Sequence, residues 1–380
     1  MTTRVARDRA RRIRFDAHLL GGSTLSPTEV VDRAVALQGQ DLPAVLRAIA
    51  IRSRPGTTLD DVRAAFDAGA IVRSWPMRGT LFATTPEHLA TLLSLTAERI
   101  QRADGPRREA LGLDAHVMSA AREVLLDALA ERPHTRAEVL EMWNAAGIAT
   151  ESGRGYHLIA HLAIDGHAHW GAFTDDGAEQ LFTHSSTAPS TGSAVTSSSA
   201  LDGPADRADP DRTLARILRG YVAARGPVTA ADLAWWTKLP KTHVLRAATL
   251  VDDLVEVDVA GATAWVLAEM LDGDRDGDAR TARPTGPTGD VTLVPAFDEW
   301  LLGYQDRSLV ASPAMLDAVV PGRNGVFRPT ILVDGVVVGT WRIPASRGSR
   351  PAAPVVELVE RVPARTRKSV DAALSAWPHR

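Results

Sequence analysis

The feature that most constrains the fold of this 380-residue chain is a helix-start pattern that recurs three times. In each copy, a Ser or Thr is followed three residues later by an acidic residue, which is the pattern of an N-terminal capping box. The copies are Ser26 with Glu29, Thr135 with Glu138, and Thr229 with Asp232. They begin roughly 100 residues apart, the size of a small domain. The recurrence therefore predicts a chain built from three similar units.

Each copy has the same neighbours along the chain. An amphipathic segment precedes the capping box, a second helical segment follows it, and two strand-like runs around a turn come last. The order of three helices and a hairpin is that of a winged helix, whose third helix can enter the major groove of DNA. The predicted preceding helices are 14–20, 117–129 and 214–224; the following helices are 58–68, 156–164 and 241–250; the hairpins are 71–75 with 80–83, 168–173 with 180–183, and 254–259 with 263–267.

The remainder of the chain completes the predicted domain plan. Segment 185–210 is rich in Ser, Thr, Ala, Gly and Pro, and segment 272–290 is polar and rich in Gly and Pro, as is typical of linkers and loops. Strand-like runs and a closing helix follow at 291–297, 330–333, 336–341, 355–362 and 366–377. We predict a helix-rich α+β protein with three tandem winged-helix units at 14–105, 114–184 and 211–270, a linker at 185–210, and a C-terminal α+β region at 291–377 with a small antiparallel sheet.

Composition limits the classes of function. The chain has no cysteine, which excludes disulfides and thiolate chemistry and fits a reducing cytoplasm. No apolar run has the length of a membrane helix, and no signal-peptide core follows the N-terminus. We expect a cytoplasmic, nucleoid-associated protein. The net charge of −3 is unusual for a DNA-binding protein, so a DNA-binding surface requires uneven placement of charge. Residues 4–14 carry six arginines and form one basic cluster.

The first candidate for chemistry is the segment Gln38-Gly39-Gln40. If the helix that begins after Ser26 continues this far, Gln38 extends its apolar stripe. Gly39 permits unusual backbone angles, so the helix can end there and turn both carboxamides toward one place. Paired carboxamides can orient a water molecule, bind a base edge or stabilise an ionised intermediate. The spacing alone fits equally a structural role, with Gln38 at a helix end and Gln40 in solvent.

The second candidate lies in the first predicted hairpin, with its turn near Pro76. It contains Arg73, Trp75, Arg78 and Thr80, so that one arginine lies on each side of the tryptophan in the sequence. This combination suits contacts to DNA phosphates with stacking or wedge insertion by the aromatic ring. The alternative for Trp75 is that its ring packs on the helices.

The third candidate is the apolar segment 293–307, which contains Asp298, Asp306 and Arg307. Polar groups in apolar sequence must be paired or belong to a site, so these three residues either support a site or form structural ion pairs. We predict no metal site and no cofactor. His157 and His161 are four residues apart but lack the acid of a zinc motif, and the acidic loop at 272–277 lacks the Glu that a calcium loop requires.

These motifs together resemble the AlkZ-like family of bacterial winged-helix DNA glycosylases. The resemblance extends from about residue 14 to 345 and rests on segments 37–41, 73–81, 226–234, 295–307 and 337–341. It implies three tandem winged helices around a concave DNA-binding surface. It also implies hydrolysis of the N-glycosidic bond of alkylated purines, or unhooking of interstrand crosslinks. The family signature is Gln-X-Gln in one branch, which matches Gln38 and Gln40 as a catalytic pair. The middle residue of the best-known form is apolar, whereas here it is Gly39.

The chemistry implied by this resemblance agrees with the residue types. Alkylation of a purine ring makes the base a good leaving group, so the enzyme needs mainly to position water and stabilise an oxocarbenium-like sugar. No lysine is near the motif in sequence, which predicts a monofunctional hydrolase without a Schiff base. We expect a monomer acting on double-stranded DNA with alkylated purines or crosslinks, by base flipping or by attack within the groove. The alternatives are a winged-helix transcriptional regulator, a non-catalytic DNA binder or a protein-interaction scaffold.

Overall fold

The computed structural model describes residues 3–185, 209–272, 289–344 and 353–378. The predicted linker at 185–210 and the loop at 272–290 lie outside the described residues except at their ends. The chain starts with strand β1 (Thr3–Val5) and helix α1 (Arg7–Ala17). Helix α1 therefore begins seven residues before the predicted segment 14–20. Strand β1 was not predicted, since it pairs only with a strand some 250 residues further along the chain.

The first repeat extends from residue 27 to 84 and differs from its prediction, first of all at the end of its first helix. The capping box at Ser26 is present, and it begins a helix that ends already at Ala34. The prediction that Gln38 continues this helix is wrong, because residues 36–38 form a short strand that pairs with the hairpin. The elements are α2 (Pro27–Ala34), β2 (Ala36–Gln38), α3 (Leu42–Ala50), α4 (Leu59–Asp67), β3 (Val72–Met77) and β4 (Thr80–Thr84).

The second and third repeats follow their predictions closely. Long helix α5 (Pro86–Ala110) leads from the first repeat to the second. The capping boxes at Thr135 and Thr229 are both present. The second repeat contains α6 (Ala115–Glu131), α7 (Arg136–Ala145), α8 (Arg154–Ile164), β5 (Ala168–Phe173) and β6 (Gln180–His184). The third contains α9 (Pro210–Arg225), α10 (Ala230–Thr237), α11 (Lys241–Ala248), β7 (Leu254–Val259) and β8 (Ala262–Leu267), followed by the short α12 (Glu269–Asp272).

The three repeats have the same order of elements, but the capping box identified in the first repeat is not equivalent to the other two. In the second and third repeats, the residue just before the capping Thr bridges to the second hairpin strand, His134 to Phe182 and Val228 to Trp265. Gln38 makes the same kind of pairing in the first repeat, to Phe82. The Ser26 capping box therefore begins the first helix of its repeat, whereas the other two capping boxes begin the second.

The described residues form three sheets. The hairpins of the first two repeats join in one five-stranded sheet with the order β2-β4-β3-β5-β6, and the third hairpin forms a sheet with the order β1-β7-β8. The C-terminal region contains an antiparallel sheet with the order β12-β11-β10-β9, as predicted. Its elements are β9 (Val291–Val294), α13 (Glu299–Leu302), α14 (Pro313–Val319), β10 (Thr330–Val333), β11 (Val336–Arg342), β12 (Val355–Leu358) and α15 (Ala364–Ser375). The prediction of a helix-rich α+β fold with antiparallel sheets is confirmed.

The hydrophobic core of the third repeat extends into the first repeat. Phe82 of β4 packs edge-on against Trp236 of α10, with 5.9 Å between the ring centroids. Val35 and Ala36 belong to the same cluster of buried side chains. Strand β2 therefore lies where the first and third repeats meet. None of the helices within the described ranges has both the length and the apolar character that a bilayer span requires.

The arginines of the N-terminus are used mainly for contacts within the protein. Arg14 is 4% exposed, its guanidinium lies 3.6 Å from the centroid of the Tyr304 ring, and it donates a hydrogen bond to the carbonyl of Pro227. Arg7 donates to the carbonyl of Ser308, and Arg11 pairs with Asp8 on the same helix. The sequence suggested a basic cluster here, but much of its charge ties α1 to the rest of the fold.

Candidate active site

Strand β2, which carries Gln38, is held by a buried ion pair from two distant parts of the chain. Arg225, at the end of α9, donates to the carbonyl of Ala34 at 2.9 Å and to that of Ala36 at 2.7 Å. Its guanidinium pairs with Glu299, the first residue of α13, at 2.9 Å, and both side chains are 1% exposed. A second oxygen of the Glu299 carboxylate accepts the backbone N–H of Gln38 at 3.2 Å. The pair therefore holds strand β2 at its start and at its end.

Glu299 was missed in the sequence even though it lies in segment 293–307. Its carboxylate also accepts the indole N–H of Trp236 at 3.0 Å, so each of its close partners is a donor. An acid directly after Asp298 in an apolar run was the available signal, and the same reasoning that selected Asp298 applied to it.

The side chain of Gln38 is buried without a complete set of partners. It is 7% exposed, and its Oε1 atom is buried with no hydrogen-bond donor among the residues that the structure describes. Most buried side-chain oxygens in proteins have a partner, because leaving one unpaired costs about 1–3 kcal/mol. An oxygen of this kind is an acceptor available to a ligand or a water molecule.

Gly39 has a different role from the one that the sequence suggested. Its φ is not positive, so unusual backbone angles are not the reason for a glycine here. Its N–H donates to the carbonyl of Leu81 at 2.7 Å, and a Cβ atom would lie 3.0 Å from the backbone of both Phe82 and Ala83. The glycine allows the motif to lie unusually close to β4.

The carbonyl of Gly39 is bound in turn by Arg73, at 3.0 Å. Arg73 Nε donates to Oε1 of Gln180 at 2.6 Å, and Gln180 donates to the carbonyl of Gly171. Burial lowers the pKa of Arg73 to about 10. The predicted role of Arg73 was contact with DNA, whereas its guanidinium in this structure links the motif to the second repeat.

Gln40 lies in a different environment from Gln38. Its side chain is exposed, and its Oε1 accepts the N–H of Leu81 at 3.3 Å. The structure thus brings both carboxamides beside β4, one buried with an unpaired oxygen and one facing solvent. Neither caps a helix end, so the structural alternative considered for Gln38 does not describe its position.

The turn of the first hairpin is Arg78-Gly79, with φ values of 56° and 68°, rather than the predicted region of Pro76. A two-residue turn with positive φ at both positions matches the right-handed twist of a hairpin. Pro76 lies inside β3, where the pairing with β4 is irregular. The guanidinium of Arg78 lies over the rings of Phe82 and Trp235, at 5.1 and 4.6 Å from their centroids.

Two other residues of this hairpin have definite positions. Trp75 is 3% exposed and packs edge-on against Tyr156 of α8, 6.1 Å between centroids. The prediction that its ring stacks on DNA is not supported, because the ring fills the core between the first two repeats. Thr80 is half-buried, and its Oγ1 has no hydrogen-bond partner among the described side chains and backbone groups. Its predicted contact with DNA stays a prediction.

The residues predicted from segment 293–307 separate into different roles. Asp298 forms a buried, two-point ion pair with Arg52, at 2.8 and 2.9 Å, and caps α13 through the N–H of Trp300. It is therefore a structural residue. Asp306 is exposed and accepts the N–H of Ser308 within its own loop. Arg307 is half-buried and donates from Nε to the carbonyl of Leu301 at 2.7 Å.

The fold places a lysine beside the first hairpin, although this lysine is far from the hairpin in the sequence. Lys238 follows α10 in the left-handed conformation, and its ammonium lies 5.7 Å from the centroid of the Trp235 ring. Arg78 lies over the same ring. Both cations line a cavity of about 300 Å³ between the first hairpin, α5, α8 and the end of α10.

The two histidines considered for metal binding lie elsewhere, between α5 and α8. His157 contacts Asp104 at 3.1 Å. His161 contacts Gln101 at 2.6 Å and Asp165 at 3.1 Å. In the part of the chain with described coordinates, no group of three or more His, Asp or Glu side chains is arranged to hold a metal ion.

The fold and this site define a helix-rich α+β protein in which hairpin-bearing repeats surround a buried carboxamide with an unpaired oxygen. The family model for AlkZ-like DNA glycosylases matches residues 31–379, and the chain belongs to that family. The resemblance seen in the sequence is thereby confirmed, and membership favours a DNA glycosylase over a DNA-binding regulator.

A curated sequence and a solved structure, both from Streptomyces sahachiroi, are similar to this chain. One is an interstrand DNA cross-link repair glycosylase, 30% identical over 139 residues, which is 36% of this chain and 35% of the relative. The match thus spans about a third of the relative. The other is the solved structure of the DNA glycosylase AlkZ, with a TM-score of 0.76 and 23% identity over 99% of this chain and 97% of that one. This second comparison shows a shared fold over nearly the whole chain.

Proposed function

We propose that this protein is a DNA glycosylase that hydrolyses the N-glycosidic bond of alkylated purines, with Gln38 and Gln40 as its catalytic residues. The observation that carries the proposal is the unpaired, buried Oε1 of Gln38. A glutamine with a purely structural role would be expected to use that oxygen, because leaving it unpaired lowers stability. The oxygen can instead accept a hydrogen bond from the attacking water.

The proposed reaction needs no strong acid. The water oxygen forms a bond to C1′ of the sugar, the bond from C1′ to the base nitrogen breaks, and its electron pair neutralises the cationic alkylated base. The proton lost by the water passes to solvent. The Gln38 carboxamide would orient the water, and the dipoles of both amides would stabilise the oxocarbenium-like sugar without forming a covalent bond. Gln40, which is exposed, is the amide that DNA reaches first.

We further infer that the three repeats are winged-helix units at 14–105, 114–184 and 211–270 that act together on double-stranded DNA, as a monomer at the bacterial nucleoid. The repeated order of helix, bridge, two helices and hairpin supports this inference. The curated relative is named for interstrand cross-link repair, so a crosslinked duplex is the second substrate to be tested.

The decisive experiment measures release of 7-methylguanine from a methylated duplex and unhooking of a crosslinked duplex. We expect the wild-type protein to act on at least one of them, and the Gln38→Ala, Gln40→Ala variant to lose about 10²-fold or more in rate, as for removal of a group that stabilises developing charge. Gln305→Ala, at an exposed glutamine in the loop after α13, is the control and should keep full activity. An inactive wild type, or an active double variant, would overturn the proposal.

The monofunctional mechanism has a separate test, because Lys238 lies close to Arg78 in the folded chain. A lyase would form an imine between a lysine and C1′, which borohydride reduces to a stable protein–DNA adduct. We expect no adduct from the wild-type protein during base release. An adduct that disappears in Lys238→Gln would show that the enzyme is bifunctional.

A further inference from the structure

Three cations from different parts of the chain surround the half-buried ring of Trp235. The centroid of this ring lies 4.6 Å from the guanidinium carbon of Arg78, 5.4 Å from that of Arg307 and 5.7 Å from the Lys238 ammonium. Arg78 comes from the first hairpin, Lys238 from the end of α10, and Arg307 from the loop after α13. We call these four residues the Trp235 cluster.

The positive charge of the Trp235 cluster is only partly offset by the described residues, since Glu299 acts on Arg78 and Asp232 acts on Arg307 from beyond ion-pair distance. Among the residues with described positions, none supplies a carboxylate within ion-pair distance of Arg78, Lys238 or Arg307. Arg78 donates to the carbonyl of Leu302, and Arg307 donates to the carbonyl of Leu301. Like charges held this close repel one another, so the arrangement gains stability when an anion is bound.

Arg307 is held in a fixed orientation in which, among the described residues, only its Nε has a hydrogen-bond partner. Its guanidinium lies between two rings, 5.4 Å from the centroid of Trp235 and 5.3 Å from that of Phe327. Its hydrogen bond to the carbonyl of Leu301 uses Nε alone. The two terminal nitrogens remain for an anion with oxygens at the right spacing, which a phosphate has. Burial lowers the pKa of Arg307, in agreement with its position between the rings.

Two of the cations occupy backbone positions that a glycine or asparagine would fit better. Arg78 has a φ of 56° and Lys238 a φ of 61°, both in the left-handed region. Long side chains are uncommon there, and strained backbone of this kind concentrates at functional sites. The presence of a cation at both positions, directed at one ring, is a second indication that their charge is used.

We propose that Arg78, Lys238 and Arg307 bind a phosphate of the DNA backbone on the platform of Trp235. This proposal rests on the proposed function, because it gives the phosphate a place relative to the reaction. Arg78 lies over the ring of Phe82, the β4 residue that pairs with Gln38. A phosphate bound there would fix the position of the strand beside the catalytic motif. Contacts of this type set the register of a protein on DNA and do not read its sequence.

The test is the salt dependence of binding to an undamaged duplex, which requires no catalysis. Fluorescence anisotropy gives the dissociation constant between about 0.05 and 0.3 M salt, a range in which release of counterions from phosphates controls affinity. We expect Lys238→Gln and Arg307→Gln each to lower the slope of log K against log salt, and the double variant to lower it by about 0.9, the value for one phosphate, which corresponds to a loss of about 8-fold at 0.1 M. Arg307→Lys keeps the charge and should keep the slope.

The matched control is Lys368→Gln, at an exposed lysine of α15. Lys368→Gln should leave the slope unchanged, because this side chain lies far from the Trp235 cluster in sequence. Lys238→Gln should leave the temperature of thermal unfolding unchanged, because its side chain is exposed. Slopes of Lys238→Gln and Arg307→Gln equal to that of Lys368→Gln would overturn the phosphate site, as would a wild type without salt-dependent binding. Lowered slopes in a protein that releases no base would retain the phosphate site and refute the glycosylase. Base release with unchanged slopes would support the glycosylase and refute the phosphate site.

Discussion

Two glutamines in this chain are almost equally buried but differ in how their amides are satisfied. Gln180 is 3% exposed, accepts a hydrogen bond from Arg73 and donates one to the carbonyl of Gly171. Gln38 is 7% exposed, and its Oε1 has no donor among the described residues. A satisfied buried amide contributes to stability, whereas an unpaired oxygen lowers it. Gln180 is therefore a structural residue, whereas stability does not explain the buried, unpaired oxygen of Gln38.

This difference gives opposite expectations for the same substitution. Gln38→Met should raise the free energy of unfolding by about 1 kcal/mol, because it removes the unpaired oxygen, and should abolish base release. Gln180→Met should lower the free energy of unfolding by about 2–3 kcal/mol, because it removes an acceptor from the buried Arg73 guanidinium. Urea denaturation of both variants measures the two effects. A clear loss of stability in Gln38→Met would mean that its amide is structural.

Gly39 gives a second prediction at this scale. In Gly39→Ala, the new Cβ would press on the backbone of β4 at 3.0 Å, so β2 must move. Overpacking against backbone costs about 1–3 kcal/mol, and displacement of Gln38 should also lower the rate of base release. The control is Gly171→Ala, in strand β5, where the Cβ meets the movable side chain of Thr183 at 3.2 Å. That variant should remain within about 0.5 kcal/mol of the wild type; equal effects in both would refute the close-approach explanation.

At the scale of elements, β2 depends on groups that are far away in sequence. Glu299 lies 261 residues from Gln38, and Arg225 lies 191 residues from Ala34. Glu299→Gln keeps the shape of the side chain but leaves the Arg225 charge buried without a counter-charge. We expect a loss of about 3–5 kcal/mol in the free energy of unfolding, and slower base release even at temperatures where the variant is folded.

The control for this variant is Asp211→Asn, which breaks the ion pair of Asp211 with Arg246 at the surface. That pair also has two short contacts, at 2.8 and 2.9 Å, so the two variants differ mainly in burial. Exposed pairs contribute little, so stability should change far less than in Glu299→Gln. A similar change in both variants, with normal base release, would show that the buried pair does not hold the motif.

The same distances explain what the sequence could predict. Capping boxes and hairpins were located because their residues lie within a few positions of one another. Strand β2 is three residues long and forms through its contacts with β4, Arg225 and Glu299, so no local pattern announces it. Helix α3 is absent from the predicted repeat, because Asp41 and Pro43 are residue types that are typical of turns. They instead cap it and begin its first turn, where a proline is tolerated.

At the scale of the whole molecule, the net charge of −3 says little about where DNA could bind. The most arginine-rich segment of the sequence is largely committed to contacts of α1 with the fold. The cations of the Trp235 cluster are scattered over some 230 positions of the sequence and meet only in the folded chain. The distribution of charge over the surface is therefore a property of the tertiary structure.

The stability of the whole protein should fall in mild acid because His18 and His169 are buried and their pKa values are lowered. Burial lowers the pKa of His169 to about 4, and burial together with the charge of Arg52 lowers the pKa of His18 well below its usual value. Both remain neutral in the folded state, while in the unfolded chain they gain protons below about pH 6.5. The unfolded state then binds more protons, so stability is highest above that pH and decreases as the pH falls toward 4.

Each such histidine contributes a slope of up to about 1.4 kcal/mol per pH unit within this window. Urea denaturation at several pH values between about 5 and 7 would measure the combined slope, in a range where most carboxylates stay ionised in both states. His169→Asn should lower this slope, whereas His116→Asn, at an exposed position of α6, should leave it unchanged. A stability that is flat over this range would mean that His18 and His169 take up protons in the folded state, and that the core around α1 and β5 admits charge.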